Sequence, residues 1–235
     1  MSGLRDELAG YSKDLGIDLF GVADLTTARD FILRQGGEHV ASFPRAISMG
    51  TRLLDAVIDE LYRHEEPSAI YGYSGHYESV NANLDRASML IAKRIQDAGF
   101  KAYPQVASQY VNMRRLEGAI SHKLVANLAG LGWIGRNCLL ITPSCGPRLR
   151  LVTVLTDAPL EAGRPIPNGC GDCRKCVDVC PVNASTGTTF DPSEPRDVRL
   201  RAHLCREYTQ RREQRLGVGL CALCVYVCPH GLKKE

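Results

Sequence analysis

The stretch Gly169–Ala184 reads GCGDCRKCVDVCPVNA, with thiols at Cys170, Cys173, Cys176 and Cys180 and a proline, Pro181, directly after the last. Four soft ligands within eleven positions can be disulfide partners, zinc ligands or the anchors of an iron–sulfur cluster. The spacing decides among them. Zinc sites pair two Cys-x2-Cys knuckles and have no use for a run of three intervals that ends in Cys-Pro. Ten cysteines in a chain whose first residues, MSGLRDELAGYSKDLG, contain no apolar signal stretch point to metal or redox chemistry rather than to disulfides.

The run has the C-x2-C-x2-C-x3-C-P spacing of bacterial ferredoxins, in which the first three cysteines bind one cubane and the fourth crosses to a second. Such crossing demands another set of ligands. Cys221, Cys224, Cys228 and Pro229 repeat the last part of the run, with Val218 where the first cysteine would stand. Cys205 is the remaining thiol nearby. Cluster one is therefore expected on Cys170, Cys173, Cys176 and Cys228, and cluster two on Cys180, Cys205, Cys221 and Cys224. Cys138 and Cys145 are left as core residues beside an apolar strand.

Alternating helix and strand signals fill residues 1–158. Leu4, Leu8, Tyr11 and Leu15 recur at helical spacing before Gly16. IDLFGVAD reads as a strand, Thr51–His64 as a helix, and Asn81–Ala98 as the longest helix. KAYPQVAS, Asn137–Thr142 and RLVTVLT read as strands, with a helix over Ser121–Ala129. This pattern predicts a mixed α/β domain over 1–158. A connector rich in proline and glycine leads into a module over 159–235, whose small core depends on its clusters. The formal charge is +3, and two clusters on eight thiolates bring it close to neutral, so global charge gives no case for nucleic acid. Arg196–Arg215 is the local exception, a solvated helical face or a dock for an acidic partner. Without an apolar run of membrane-spanning length the chain is expected to be cytoplasmic, with no membrane contact.

AGLGWIGRNCLLIT contains Gly130, Gly132 and Gly135 at the spacing of a dinucleotide-binding loop. That chemistry needs a strand before the glycines and a helix after. Here a helix precedes and a strand follows, so a helix C-cap with a tight turn accounts better for the glycines.

AGLGWIGRNCLLITP, then LTDAPL, then CGDCRKCVDVCP and the distal CALCVYVCP resemble the epoxyqueuosine reductases in order and spacing. That family is related to the reductive dehalogenases. It joins a nitroreductase-like cobalamin-binding domain to a two-cluster ferredoxin module. The resemblance covers residues 75–230 clearly. It implies a cobalamin near Gly130, Gly132, Trp133, Ile134, Gly135 and Asn137, at the seam of the two domains, with Trp133 covering the flat macrocycle. It also implies a reduced ferredoxin or flavodoxin-type electron donor. The family's catalytic aspartate has no counterpart in YPQVASQYVNM, and the family's C-terminal helical-repeat domain has none before Glu235. A small-molecule or corrinoid-protein acceptor is expected in place of tRNA. Tyr110 is the expected proton donor, because reductive dehalogenases use a tyrosine; His76, Tyr77 and His122 are further candidates. Two other functions stay open: an activation protein that reduces a partner's corrinoid, and a ferredoxin-like carrier without corrin.

Overall fold

The computed structural model describes residues 2–232. The chain folds into two compact units that interleave in sequence. The first comprises Met1–Thr51, Val80–Gly132 and Arg150–Ile166; the second comprises Arg52–Ser79, Trp133–Leu149 and Pro167–Glu235. The cysteine-rich segment thus shares its unit with two stretches that lie far upstream in sequence.

The first unit is a mixed α/β layer. Helix α1 (Ser2–Asp14) precedes strand β1 (Leu19–Asp24), and helix α2 (Arg29–Ala41), kinked at Gly37, precedes β2 (Arg45–Arg52). β3 (Ala102–Gln105) and β6 (Leu149–Thr156) complete a four-stranded sheet in the order β1-β2-β6-β3. β1 and β2 pair antiparallel from Leu19↔Gly50 to Asp24↔Arg45, where the last pair adds an ion pair at 2.9 Å. β3 carries Pro104, which suits its edge position because an edge strand can spare a ladder donor. Ala23, Leu25, Ile32, Val40, Ala46, Val125 and Leu155 form one core beneath the sheet.

Helix α4 runs Pro67–Asp97, well beyond the expected Asn81–Ala98. Its buried stripe is Ile70, Tyr73, Val80, Leu84, Ala87, Ile91 and Ile95, a three-and-four rhythm that continues through the glycines of GYSGHYES. The expected helix over Thr51–His64 is displaced. β2 continues through Arg52, and only α3 (Asp55–Asp59) and one 3-10 turn (Glu60–Arg63) follow. Leu53, Ile58 and Leu61 are buried while Leu54 is 61% exposed, so the apolar stripe served a strand end and two short turns.

In the second unit the two-residue strands β4 (Trp133–Ile134) and β5 (Leu140–Ile141) pair antiparallel. Asn137–Thr142 is a strand only at Leu140–Ile141, because Cys138 lies in the left-handed region at φ 56°. Helices α6 (Lys175–Asp178), α7 (Ala202–Leu216) and α8 (Leu223–Tyr226) carry Cys176, Cys205 and Cys224. Two fully buried arginines tie this unit together. Arg148 meets Asp55 at 3.2 Å and Asp59 at 2.7 Å. Arg212 donates to Glu65, to the His64 carbonyl, and to the Leu220 carbonyl at 2.7 Å.

Candidate iron–sulfur centre

The two cysteine runs fold alike. In the first, the Val177 N–H donates to the Arg174 carbonyl at 2.8 Å and Val179 to Lys175 at 3.1 Å. In the second, Val225 donates to Ala222 at 2.8 Å and Val227 to Leu223 at 3.0 Å. Each run is thus one helical turn with a cysteine inside it, Cys176 or Cys224, and a Cys-Pro step just after. All ten cysteines are free thiols. Among the described residues no group of three or more His, Cys, Asp or Glu is placed to hold a single metal ion.

The charges that the thiols sense sort them into two sets. Burial, then Cys228, Cys170 and Cys173, push Cys176 up to about 11. Burial raises Cys228 too, with Cys170 and Cys173 adding to it. Cys205 is exposed as a residue, yet its thiol is raised by desolvation and then by Cys221 and Cys180. Cys224 is raised by burial, then by Cys221 and Cys205, with Cys176 and Cys180 weaker. Cys176 and Cys228 thus share Cys170 and Cys173 as neighbours, Cys205 and Cys224 share Cys221 and Cys180, and an eight-thiol donor set of this kind fits two cubanes. Metal binding would have to displace protons from raised thiols, so loading depends on pH.

The segment Trp133–Asn137 grips both runs. The Trp133 indole N–H donates to the Cys170 sulfur at 3.4 Å. Asn168 accepts from the Cys170 N–H at 2.8 Å and donates to the Ile134 carbonyl at 3.4 Å. Arg136 donates to the Gly171 carbonyl at 2.8 Å and also to that of Gly187. Asn137 donates to the Cys224 carbonyl at 3.2 Å. A glycine-rich block expected to touch a cofactor is therefore a clasp on the cysteine loops. Five of the six residues expected there are buried and Gly130 is half-buried. Trp133 in particular is 7% exposed and meets His230 edge-on, with ring centroids 5.0 Å apart, so it presents no open face to a macrocycle.

Gly130 has its own work. Helix α5 (His122–Leu128) is capped by Ser121, whose hydroxyl accepts from the Leu124 N–H. It ends with Gly130 at φ 79°, where the Gly130 N–H meets the Asn127 carbonyl and Leu131 meets Ala126, both at 3.0 Å. That is a Schellman close, in which glycine avoids the left-handed penalty.

The proton-donor candidates are scattered in role. Tyr110 is 50% exposed, at the base of a loop bridged between Asn112 and Glu117. His122 is committed: one ring nitrogen meets Thr153 at 2.8 Å, the other the Val106 carbonyl at 2.9 Å, and burial lowers its pKa to about 4. His76 lies on α4 and accepts from the Leu54 N–H at 3.0 Å. Tyr77, on the same helix, tilts against Tyr73. The sequence reading missed one group. Glu117 stands just past YPQVASQYVNM, its side chain 15% exposed and 3.0 Å from Arg115, so the interval before AGLGWIG does hold a carboxylate. Its acid type and position between α4 and α5 were the available signal.

Comparison with known proteins places the cysteine module. Residues 169–231 match the 4Fe-4S double cluster binding domain. The epoxyqueuosine reductase of Bacillus anthracis is 35% identical over 198 residues, covering 77% of this chain and 52% of the relative. The chain thus spans about half the length of that relative. A crystal structure of epoxyqueuosine reductase with an epoxyqueuosine-modified tRNA stem loop superposes with a TM-score of 0.63 at 20% identity, covering 98% of this chain and 66% of the other. A reductive dehalogenase solved in connection with B12-dependent dehalogenation gives 0.64 at 18% identity, over 93% of this chain and 30% of its own. Among the described residues no helix is long and apolar enough to cross a membrane. With the double-cluster module, the shared fold and the sequence likeness together, this chain is an epoxyqueuosine reductase-like iron–sulfur protein.

Proposed function

We propose that the protein is an iron–sulfur reductase in which the eight cysteines hold two [4Fe–4S] clusters that feed a corrin cobalt and, through it, a small-molecule substrate. The observation that carries the reading is the double-cluster module joined to a mixed α/β unit of the kind seen in a B12-dependent dehalogenase. The cubanes supply single low-potential electrons. A corrin supplies a cobalt that, once reduced, is a strong nucleophile and reductant. The Arg136 Nε of this turn is buried without a hydrogen-bond partner, but the Arg136 guanidinium is turned to the Gly171 and Gly187 carbonyls, so the support for the corrin is the likeness of fold. On this reading Trp133 and Ile134 hold the Cys170 loop, Asn137 reaches the second run at Cys224, and Gly130 closes α5.

The remaining work falls to this chain's own groups. Cys205 is an exposed ligand candidate on α7, and Arg201, Arg211 and Arg215 stand exposed along the same segment. Glu207 and Glu213 stand on the same segment and Arg215 pairs with Glu65, so Arg201 and Arg211 are the cations that would meet an acidic donor such as a reduced ferredoxin or flavodoxin. On this reading the half-exposed Tyr110 gives the proton to a bound substrate. Replacing it with phenylalanine should depress turnover and leave iron content intact. Hydroxocobalamin added to the iron-loaded protein should stay bound through dialysis and be reduced under low-potential conditions. If it dialyses freely at tens of micromolar, the corrin is not this protein's cofactor and the carrier reading takes over.

Glu117 favours a second reading. It removes the objection that the loop has no acid, and a relative of this fold was solved with a modified tRNA stem loop. Epoxyqueuosine-containing tRNA is therefore the other substrate to assay, with nucleoside analysis as the readout. Conversion that depends on Glu117 would select this reading over a small molecule.

A further inference from the structure

We infer that Trp133 is a positioning residue for cluster one, whose indole N–H donates to the Cys170 sulfur and raises the reduction potential of that cluster. The inference rests on the iron–sulfur reading and is independent of the corrin.

Three features make the contact a built one. First, the Nε1–Sγ separation is 3.4 Å, within reach of a hydrogen bond to a large sulfur acceptor. Second, the ring is held from several sides. A Cβ at Gly169 would lie 2.9 Å from two carbons of the indole, so the residue before Cys170 must be glycine for the ring to sit there. His230 packs edge-on against the same ring, two residues after the ligand Cys228. Third, Trp133 is 7% exposed, so water competes weakly for the N–H and the bond gains from the low local dielectric. Asn168 ties the Cys170 N–H and the Ile134 carbonyl together, which fixes the ligand relative to the donor.

The electrostatic consequence follows from charge. One-electron reduction adds negative charge that is shared with the thiolate sulfurs, and a donor aimed at sulfur stabilises the reduced form more than the oxidised one. Hydrogen bonds to the sulfurs are a recognised control of cluster potential. Cys180, assigned to cluster two, takes the backbone N–H of Ala184 at 3.2 Å instead. A change at Trp133 therefore acts on one cluster.

The chain has one tryptophan, which makes the test direct. In iron-loaded protein grown with 15N-indole tryptophan and partly reduced, pulsed paramagnetic resonance should show an exchangeable proton and a 15N coupling on one cluster. Trp133→Phe keeps a ring of similar shape and removes the donor. It should shift the reduction equilibrium of cluster one toward the oxidised form by roughly three- to tenfold, tenfold being 59 mV for one electron, with cluster two unmoved. A wild-type protein with normal cluster signals and no 15N coupling overturns the inference, as does a fully loaded Trp133→Phe protein with both potentials unchanged. If the variant fails to hold iron, the labelled wild-type spectrum still decides. Absence of any cluster signal would instead sink the iron–sulfur reading itself.

Discussion

The two cysteine runs share a backbone pattern and differ in what supports it. No residue of α6 is buried, and the first run hangs on hydrogen bonds from outside itself: Trp133 to Cys170, Arg136 to Gly171. α8 buries Leu223 and Val225, and Cys228 is buried after it. Beside the second run stands Arg212, 1% exposed and bonded to Glu65 and two backbone carbonyls. One spacing of ligands is thus held polar in the first instance and apolar with a buried ion pair in the second. The same backbone turn is kept in two different surroundings.

The largest effect should come from removing a ligand that neither run contains. Cys205 lies on α7, outside both runs, and is expected to complete the second set. Cys205→Ser should lower iron from about eight to about four atoms per chain, read by anaerobic iron analysis. Cys138→Ala, at a buried thiol outside both sets, should leave the count unchanged. Equal losses from the two would mean that the lone ligand is misassigned.

Next in size is Arg212. Removing one partner of a buried ion pair costs about 3–5 kcal/mol, and Glu65, with its side chain 45% exposed, can recover some hydration. Arg212→Ala should therefore fall near the low end, about 3 kcal/mol, with iron lost preferentially from cluster two. Arg212→Lys keeps the charge but not the fork that spans Glu65 and the carbonyls, and should recover only part. Chemical denaturation of the iron-loaded protein measures both. If the two clusters fall together, the module is a single cooperative unit and the contrast between the runs has no energetic meaning.

Arg136 is the matching test on the first run. It gives charge-assisted bonds to two loop carbonyls, and such bonds contribute about 1.5–3 kcal/mol each when charged. Because water can reach one of them, Arg136→Ala should cost about 2 kcal/mol in all and should loosen cluster one. A cost below about 0.5 kcal/mol would show that ligand geometry alone holds the loop.

Much of this was legible in the chain, for reasons that differ by element. The double-cluster module was readable because cluster chemistry fixes intervals of two and three residues, a local constraint. β1, α5 and β6 were readable because one face or one short run is plainly apolar. α2 was not, since its paired glycines and three buried residues, Ile32, Val40 and Ala41, leave little periodicity. α4 was cut short because Gly72 and Gly75 weaken the helical signal of its first half, whereas packing of Ile70 and Tyr73 overrides their low propensity. The clasp was not legible because its contacts are long-range: Asn137 meets Cys224 at a separation of 87 residues, which no local pattern reports.

That last contact carries the smallest prediction and the sharpest use. Asn137 bridges the turn and the second run, accepting from the Leu139 N–H at 3.1 Å and donating to the Cys224 carbonyl at 3.2 Å. It is 5% exposed, so losing the side chain leaves a carbonyl short of a partner and one turn N–H unpaired. Such a loss costs about 1–3 kcal/mol, and the small cavity that admits water should bring it to about 1 kcal/mol. Asn137→Asp keeps the acceptor and removes the donor, so it separates the two bonds. If Asn137→Asp matches Asn137→Ala in stability, the reach to Cys224 matters and the local turn does not. Should Asn137→Asp behave as wild type instead, the residue only shapes its own turn, and the clasp on the second run reduces to packing.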